Sequence, residues 1–430
     1  MVSEEVLPKV LIVSHNCMSK SGSNGRTLSN FLSNWSSDSL AQFYIYPETP
    51  DVDNCNNYFR ITDWDVLNSL IKQKAPGERL TSKHKVSINH EKSHISNKLH
   101  KAGKGRGTLS YILRNLLWDL KKWKSSEFEK WVDDFKPDVV LLQAGDYAFM
   151  YKIAMHISQS RGIPLVIYNS EDYYFKDKKS LSPFYHYYRR SFKRQFERTI
   201  EYATRSIYNS DMLKETYDKS FNKPNTVIYT ASKIQTVINK KKNENIKISY
   251  LGNLGVNRVL PLVEMGKTIK KIDPCVEFNI YGSIPSNDVK HSLTIDNGIK
   301  YNGNISYDDV ITVMHDSDLL IHAEDFSDFS QWDLKHAFST KIADSLACGT
   351  CFVVYAPPDI ASSRYLINND AACVITDQSK LESTLRTVLN DKYIRQTYID
   401  KALKLAEKNH NYQKNSDVFR KVLIECSKGV

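Results

Sequence analysis

Residues His336 to Pro357 have the sequence HAFSTKIADSLACGTCFVVYAP, which is the most informative segment of the chain. It predicts a polar loop, a short helix, a turn at Gly349 and a buried strand from Phe352 to Tyr355. Lys341 and Asp344 fall near the start of the helix. Free N–H groups there favour a phosphate, and a carboxylate can accept hydrogen bonds from a ribose diol. This layout is typical of nucleotide-sugar binding.

The stretch resembles the signature of retaining, family-4-like glycosyltransferases of the GT-B architecture, in which a Glu-x7-Glu pair precedes an Ala-Cys-Gly-Thr-Pro-like turn. His336 falls at the first Glu, Asp344 at the second and Cys351 at the usual Pro. The residues before the helix, Ser339, Thr340 and Lys341, resemble a variant of this signature found in bacterial polysaccharide glycosyltransferases. An ordinary loop-helix-strand unit of any α/β protein is the structural alternative. By resemblance, the expected donor-binding residues of this stretch are His336, Ser339, Thr340, Lys341 and Asp344.

The resemblance implies an α/β fold of two Rossmann-like domains facing a central cleft. The expected domains are residues 1–229, which would bind the acceptor, and residues 230–405, which would bind the nucleotide sugar. Residues 406–430 are expected to form a helix that crosses back to the first domain, as is common in GT-B proteins.

Length and composition are those of an ordinary globular protein. The chain has 430 residues, of which 41% are hydrophobic and 25% charged, so it can form two domains with their own cores. Apolar runs such as Val139–Leu142 are too short to span a bilayer, and residues 1–5 lack the basic region of a signal peptide. Seven scattered cysteines do not suggest a disulfide framework. A cytoplasmic protein is therefore expected.

Basic residues are concentrated in one part of the chain. The net charge is +10, and from Lys72 to Lys130 fifteen basic residues face five acidic ones. Such a surface suits nucleic acid, anionic lipid or a pyrophosphate-bearing substrate. Because no nucleic-acid-binding motif accompanies the charge, no nucleic-acid partner is expected.

An apolar pattern with helical spacing lies within this basic part. Arg114, Lys121, Lys122 and Lys124 flank it, so core packing and docking on an anionic membrane both remain open. The residues of the pattern are Leu109, Ile112, Leu113, Leu116, Leu117, Leu120 and Trp123.

Several local patterns predict the elements of the first domain. A strand from Lys9 to Ser14 is followed by a loop that contains Gly25, which is expected to contribute to donor binding. Residues 72–107 have little periodicity and predict a mobile insertion or long loop. The stretch from Tyr187 to Tyr217 predicts a long basic and aromatic helix that ends in a short strand.

The segment from Tyr250 to Arg258 looks like the family's Gly-x-Leu-x-x-x-Lys segment, with Asn253 at a position that is often Arg. By resemblance, Arg258 and Lys341 are the candidate diphosphate clamp. Cleavage of a sugar–phosphate bond without a metal requires cations to neutralise the leaving group. A surface Arg and a helix-capping Lys are the structural alternative. Glu324, which follows an apolar run, is expected to line the donor pocket.

Acidic residues at predicted strand ends are the catalytic candidates. Glu171 and Asp172 follow one strand, at the edge where ligands collect in open α/β sheets, and Asp146 follows another. By resemblance they would position the acceptor hydroxyl or stabilise an oxocarbenium-like centre; a solvated acidic loop is the alternative. Neither Asp51–Asp53 nor Asp316–Asp318 resembles an Asp-x-Asp metal site, so no catalytic metal is expected. No cofactor is expected either, since the nucleotide sugar is a substrate.

The expected function is a metal-independent, retaining hexosyltransferase that moves a sugar from a nucleoside diphosphate, with UDP as the expected nucleotide, to a glycan or lipid-linked acceptor. Attachment to the inner face of a membrane is an open alternative to a freely cytoplasmic protein. Two other functions also remain open. One is a nucleotide-sugar epimerase of the same fold. The other is a non-catalytic glycosyltransferase-like subunit, which the replacement of the first Glu by His336 favours.

Overall fold

The computed structural model describes residues 6–20, 23–72, 74–82, 107–237, 243–286 and 288–429. The chain divides into two compact units. The first comprises Met1–Tyr229 with Gln413–Val430, and the second comprises Thr230–Tyr412. Each unit is built on a mainly parallel sheet flanked by helices. The prediction of an α/β fold with two Rossmann-like domains is therefore confirmed.

The sheet of the first unit has the strand order β4-β3-β2-β1-β5-β6-β7-β8, with only the edge strand β4 antiparallel to its neighbour. Its strands are β1 (Val10–Ser14), β2 (Leu40–Tyr44), β3 (Asn57–Arg60), β4 (Glu78–Leu80), β5 (Val139–Gln143), β6 (Leu165–Asn169), β7 (Arg205–Tyr208) and β8 (Asn225–Val227). The helices assigned to the first unit are α1 (Ser23–Phe31), α2 (Asp63–Lys72), α3 (Thr108–Asp119), α4 (Ser126–Phe135), α5 (Ala148–Arg161), α6 (Pro183–Tyr202), α7 (Asp211–Asp218) and, near the C-terminus, α15 (Tyr412–Ser427).

The central strands of this sheet are buried on both faces. In β1, Val10 and Ile12 join one apolar cluster, and Leu11 and Val13 join the other on the opposite face. Such continuous apolar runs are what a parallel sheet covered by two helical layers requires. Helix α15 contributes Phe419 to the first of these clusters.

The sheet of the second unit has the order β11-β10-β9-β12-β13-β14, and all its pairs are parallel. Its strands are β9 (Lys247–Leu251), β10 (Glu277–Tyr281), β11 (Lys300–Gly303), β12 (Leu319–Ala323), β13 (Cys351–Tyr355) and β14 (Cys373–Ile375). Its helices are α8 (Val259–Ile272), α9 (Tyr307–Asp316), α10 (Asp328–Leu334), α11 (Lys341–Ala347), α12 (Ala361–Asn369), α13 (Leu381–Asn390) and α14 (Lys392–Asn409).

In both sheets the strand order reverses beside the first strand of the unit. The reversal lies between β1 and β5 in the first unit and between β9 and β12 in the second. In doubly wound folds ligands bind at the carboxyl ends of the strands that flank this point. The two reversals therefore mark where a site is expected in each unit.

Three sequence predictions differ from the structure in detail. The helix predicted from Tyr187 to Tyr217 ends at Tyr202, because the chain turns into β7, and Ser210 then caps α7 by accepting a hydrogen bond from the Leu213 N–H. Part of the predicted loop over residues 72–107 forms β4, while residues 83–106 lie outside the described ones. The apolar pattern around Leu113 is only partly packed, because Ile112 and Leu117 at its two margins contact the core while Leu113 between them is exposed.

Candidate functional site

A charged cluster lies at the strand-order reversal of the second unit. Arg258 immediately precedes α8, Glu324 follows β12, and Lys341 begins α11. Arg258 and Glu324 form a bidentate ion pair, with 2.7 Å between Nε and Oε2 and 2.9 Å between Nη2 and Oε1. The Glu324 side chain is only 4% exposed and that of Arg258 17%. The predicted phosphate ligand Arg258 is thus already paired with the predicted pocket residue Glu324.

The surroundings of Glu324 keep its carboxylate ionised. Burial alone would raise the pKa of Glu324, but contacts with His322 and Arg258 outweigh it and hold the pKa below its ordinary value. The Nε2 atom of His322 lies 3.3 Å from Glu324 Oε1. The carboxylate therefore orients both Arg258 and the end of β12.

Lys341 brings a second cation into the cluster. Its ammonium group packs against Gly252 at the end of β9, and a Cβ atom at Gly252 would lie 1.6 Å from Nζ, so a side chain there would displace the ammonium group. Nζ also lies 5.7 Å from the centre of the Tyr250 ring. Burial, with a smaller contribution from the nearby Arg258, lowers the pKa of Lys341 to about 8, although Glu324 acts in the opposite direction. An incoming anion would stabilise this partly buried cation.

The loop between β9 and α8 has an unusual backbone. Val256 and Asn257 have φ values of 56° and 57°, in the left-handed region. For a β-branched residue such as Val256 this costs on the order of 1–3 kcal/mol, and strain of this kind is typical of functional sites. Asn253, a predicted donor ligand, accepts a hydrogen bond from Gly255 N–H at 2.7 Å through its side chain. That contact stabilises the turn, and the predicted role of Asn253 in donor binding stays a prediction.

The decisive stretch adopts the predicted loop, helix, turn and strand. Gly349 has a φ of 74°, in the left-handed region that favours glycine at a helix end. Asp344 is buried, and its Oδ1 accepts a hydrogen bond from Ser232 at 2.7 Å, which ties α11 to the start of the unit.

The remaining signature residues lie just before α11. Thr340 is the residue preceding the helix, and no side-chain capping bond is formed there. The backbone N–H of Ser339 donates to Ser362 at 3.2 Å. His336 is partly exposed between α10 and α11. Their predicted contacts with the donor stay predictions.

Asp146 lies at the strand-order reversal of the first unit, after β5. Its carboxylate accepts a hydrogen bond from Tyr111 of α3, and its backbone oxygen accepts one from Tyr188 of α6 at 3.2 Å. His15, which follows β1, is buried beside it, and burial lowers the pKa of His15 to about 4. A Cβ at Gly145 would lie 1.8 Å from the His15 ring, so the glycine makes room for this neutral imidazole.

Glu171 and Asp172 have different environments although they are adjacent. Oδ1 of Asp172 accepts hydrogen bonds from the N–H groups of Tyr174 and Phe175, at 3.0 and 2.9 Å, and from the Tyr217 hydroxyl at 3.0 Å. These contacts hold the loop after β6. Glu171 is exposed, so it is the better placed of the two to meet a ligand, and the catalytic role of either stays a prediction.

Tyr173 shows that two of the candidate carboxylates share an environment. Burial raises the pKa of Tyr173, and the negative charges of Glu171 and Asp146 raise it further. The charges of both carboxylates therefore influence the Tyr173 phenol at the carboxyl edge of the first sheet.

Gly25 has a packing role. It lies in α1, and a Cβ there would come within 2.4 Å of the backbone oxygen of Cys17. Glycine at this position lets the helix begin against the loop that follows β1. The donor contact predicted for Gly25 stays a prediction.

Several residues of these two clusters could not be predicted from the sequence. Gly252, His15, Tyr111 and Arg114 were not among the predicted site residues. The available signal was that Tyr111 and Arg114 interrupt the apolar pattern of α3, three positions apart, which places both on one side of a helix.

Within the described part of the chain, no group of three or more His, Cys, Asp or Glu residues is arranged to hold a metal ion. Asp318 Oδ2 accepts hydrogen bonds from Lys247 N–H and Asn243 Nδ2, both at 2.9 Å. Asp51 Oδ1 accepts one from Lys20 N–H at 2.8 Å. These two carboxylates thus have local structural roles.

The comparisons with known proteins agree with this architecture. Residues 263–420 match the family model described as "Glycosyl transferase-like". A comparison with curated protein sequences gives no match.

Several solved structures resemble the whole chain. Sucrose-phosphate synthase from Thermosynechococcus elongatus aligns with a TM-score of 0.63 and 12% identity over 99% of this chain and 100% of its own. Anabaena HepE in complex with UDP and glucose aligns with a TM-score of 0.59 and 12% identity over 97% and 99%. OtsA in its apo form aligns with a TM-score of 0.60 and 11% identity over 96% and 99%.

These likenesses show the fold. The chain has the GT-B architecture, and its residues 263–420 are glycosyltransferase-like in sequence.

The ion pair of Arg258 with Glu324 gives a first prediction. Arg258→Ala leaves a buried carboxylate without its partner, so the free energy of unfolding should fall by about 3–5 kcal/mol. Lys271→Ala, on the same helix, breaks an exposed pair with Glu382 and should cost no more than about 1 kcal/mol. Urea unfolding of each variant gives the comparison. Adding Glu324→Leu to Arg258→Met should restore part of the loss, since the buried carboxylate is then removed together with its partner. Equal costs for the two alanine variants would contradict this account.

Proposed function

We propose that this protein is a glycosyltransferase that moves a hexose from UDP to a glycan or lipid-linked acceptor with retention of configuration and without a metal ion. The observation that carries the proposal is the cation of Lys341, which lies partly buried beside the Arg258–Glu324 pair at the strand-order reversal of the second unit. The match of residues 263–420 to a glycosyl transferase-like family supports the reaction class. HepE, solved with UDP and with UDP-glucose, supports the choice of nucleotide.

The donor half of the reaction needs positive charge. When the sugar–phosphate bond breaks, the nucleoside diphosphate gains negative charge, which a nearby ammonium group stabilises. Lys341 would supply that charge. Arg258 would contribute the Nη1 side of its guanidinium, which Glu324 does not engage and which lies 3.4 Å from the backbone oxygen of Asn253. Asp344, held by Ser232, would accept a hydrogen bond from the ribose.

The acceptor half needs a hydrogen-bond acceptor for the attacking hydroxyl. We assign this role to Asp146, with Glu171 as the second carboxylate of the same edge. Tyr111 fixes the Asp146 carboxylate through a hydrogen bond. The neutral imidazole of His15 lies beside it. Retention of configuration is carried over from the resemblance of the signature stretch to family-4-like enzymes.

Nucleotide binding and turnover test the proposal separately. UDP at a hundred times its dissociation constant should stabilise the protein by about 2.7 kcal/mol in thermal-shift measurements, with GDP, ADP and TDP as comparisons. Pure protein given UDP-glucose should then release UDP by slow hydrolysis, and the released sugar should first appear as the α-anomer by NMR. UDP binding without release from any UDP-hexose tested would instead identify a binding subunit, which the His336 replacement favours. A product changed at C2 would identify an epimerase.

The pKa of Lys341 gives a second prediction. Since this pKa is about 8, Lys341 is protonated below pH 8 and loses its charge above it, whereas a bound diphosphate favours the protonated form. UDP affinity should therefore be constant from pH 6.5 to 7.5 and fall by up to about tenfold per pH unit above pH 8. Calorimetry in buffers of different ionisation enthalpy should show proton uptake at pH 8.5.

Variants assign this pH dependence to Lys341. Lys341→Ala should weaken UDP binding at pH 7 by roughly 1.5–3 kcal/mol and abolish the proton uptake. The control Lys267→Ala removes an exposed lysine of α8 and should change neither the UDP affinity nor the proton uptake. Proton uptake that persists in Lys341→Ala would remove Lys341 from the phosphate site.

A third prediction separates the binding and structural roles of Asp344. Asp344→Asn keeps an oxygen that can accept the Ser232 hydrogen bond but removes the charge, so UDP affinity should fall more than the melting temperature does. Ser232→Ala removes this structural bond of 2.7 Å and the bond of 3.1 Å that the Ile234 N–H donates to the same hydroxyl. It should cost about 1–2 kcal/mol of stability with little change in affinity. Calorimetry and thermal unfolding of both variants measure the two effects. The same change in affinity for both would mean that Asp344 acts only through packing.

The fourth prediction concerns metals. Because Lys341 and Arg258 would stabilise the diphosphate, transfer or hydrolysis should continue in excess EDTA at an unchanged rate. Loss of activity that Mg²⁺ or Mn²⁺ restores would contradict the metal-free mechanism.

A further inference from the structure

Helix α3 carries a stripe of exposed leucines on its outer side. Leu109, Leu113, Leu116 and the C-terminal Leu120 are 60%, 57%, 52% and 55% exposed. Their spacing of four, three and four residues places them along one face of the helix. Single exposed leucines are common on soluble proteins, but four in line form an apolar surface that requires an explanation.

The opposite face of α3 already anchors the helix to the first unit. Arg114 Nε and Trp118 Nε1 both donate to Asp63 Oδ1, at 2.8 and 2.7 Å. The Trp118 ring stacks on Phe149 with 4.4 Å between ring centres. Because these buried contacts hold the helix in place, the outer leucines are not needed for packing.

Positive charge lies at the C-terminal end of the leucine stripe. Lys121, Lys122 and Lys124 are exposed directly after α3. Helix α6 lies beside α3, with the rings of Tyr188 and Tyr111 stacked at 4.8 Å.

The neighbouring helix repeats this combination of apolar and basic groups. The first half of α6 exposes Phe184 and Tyr187, at 65% and 62%. The exposed residues Arg190 and Arg194 follow on the same helix. Apolar groups beside basic ones are complementary to a surface of anionic lipid, where the apolar groups enter the headgroup boundary and the cations meet phosphates.

We propose that the outer face of α3, together with Lys121, Lys122 and Lys124, docks the chain on an anionic lipid surface. The inner face of the same helix bonds to Asp146 through Tyr111. Docking would therefore bring the edge of the sheet that carries Asp146 close to the lipid. Proximity of Asp146 to the lipid would favour a lipid-linked acceptor, and this part of the inference rests on the proposed function. The docking itself does not depend on the proposed function.

Cosedimentation of the full chain with vesicles tests the docking. Vesicles of phosphatidylcholine alone and of phosphatidylcholine with phosphatidylglycerol are each used at low and at high salt. The protein should bind the anionic vesicles at low salt and dissociate as salt is raised. Leu113→Ser with Leu116→Ser should weaken binding at least tenfold. The control Leu260→Ser, at a leucine of the second unit that is 65% exposed, should not change it.

Charge variants test the basic part of the surface. Glutamine at Lys121, Lys122 and Lys124 together should weaken binding on the order of a hundredfold. Glutamine at Lys267, Lys300 and Lys404, three exposed lysines of the second unit, changes the net charge equally and should have little effect. An equal loss in both triple variants would show that net charge, not α3, drives binding and would overturn the proposal.

Other outcomes would also overturn the proposed docking. Negligible binding in all four conditions overturns it, as does binding that the leucine variant leaves unchanged. Self-association in analytical ultracentrifugation that only the leucine variant abolishes would show that a second copy covers the stripe. UDP calorimetry on the same variants should be unchanged. Vesicle binding without UDP binding would therefore overturn the proposed function alone, and UDP binding without vesicle binding would overturn the docking alone.

Discussion

The buried ion pair between Arg258 and Glu324 is the constraint on which the candidate donor site depends. It joins the start of α8 to the end of β12 by two short hydrogen bonds, across 66 positions of sequence. Removing two charges from water is expensive, and apolar residues of similar size often give equal or greater stability. What the pair supplies at the end of the sheet is a fixed guanidinium and a fixed carboxylate. The strained backbone at Val256 is consistent with a site in which the placement of functional groups is maintained at some cost in stability.

Lys341 completes this electrostatic arrangement. A second cation beside Arg258 is unfavourable in the free protein, and burial adds to the cost, which is why its pKa lies well below that of an exposed lysine. The negative charge of Glu324 offsets only part of the cost of charging Lys341. An anion of two or more charges would relieve the repulsion between the two cations, so the unbound cluster is arranged for such a ligand. The glycine at position 252 fits this view, because any side chain there would displace the ammonium group.

The sequence predicted the elements of the fold better than the contacts of the site. Central strands such as β1 and β5 are apolar runs, and Gly349 marks a left-handed turn, so both follow from local patterns. The partner of Arg258 could not be predicted in this way, because Glu324 is brought to it by the sheet. Asp172 shows the converse: its position after a strand suggested catalysis, but three donors from the loop and from α7 engage one of its oxygens.

Helix α3 shows why an apolar pattern alone does not identify the buried face. Its leucines and isoleucine cover a continuous arc of less than half of the helix circumference, which is compatible both with core packing and with surface docking. The polar groups resolve this, because Arg114 and Trp118 share the carboxylate of Asp63 and must face the unit to do so. Once that face is fixed, helical geometry directs Leu113 and Leu116 away from it. The same reasoning places Tyr111 inward, where its hydroxyl reaches Asp146. One helix thus connects an exposed apolar surface to the carboxylate at the strand-order reversal.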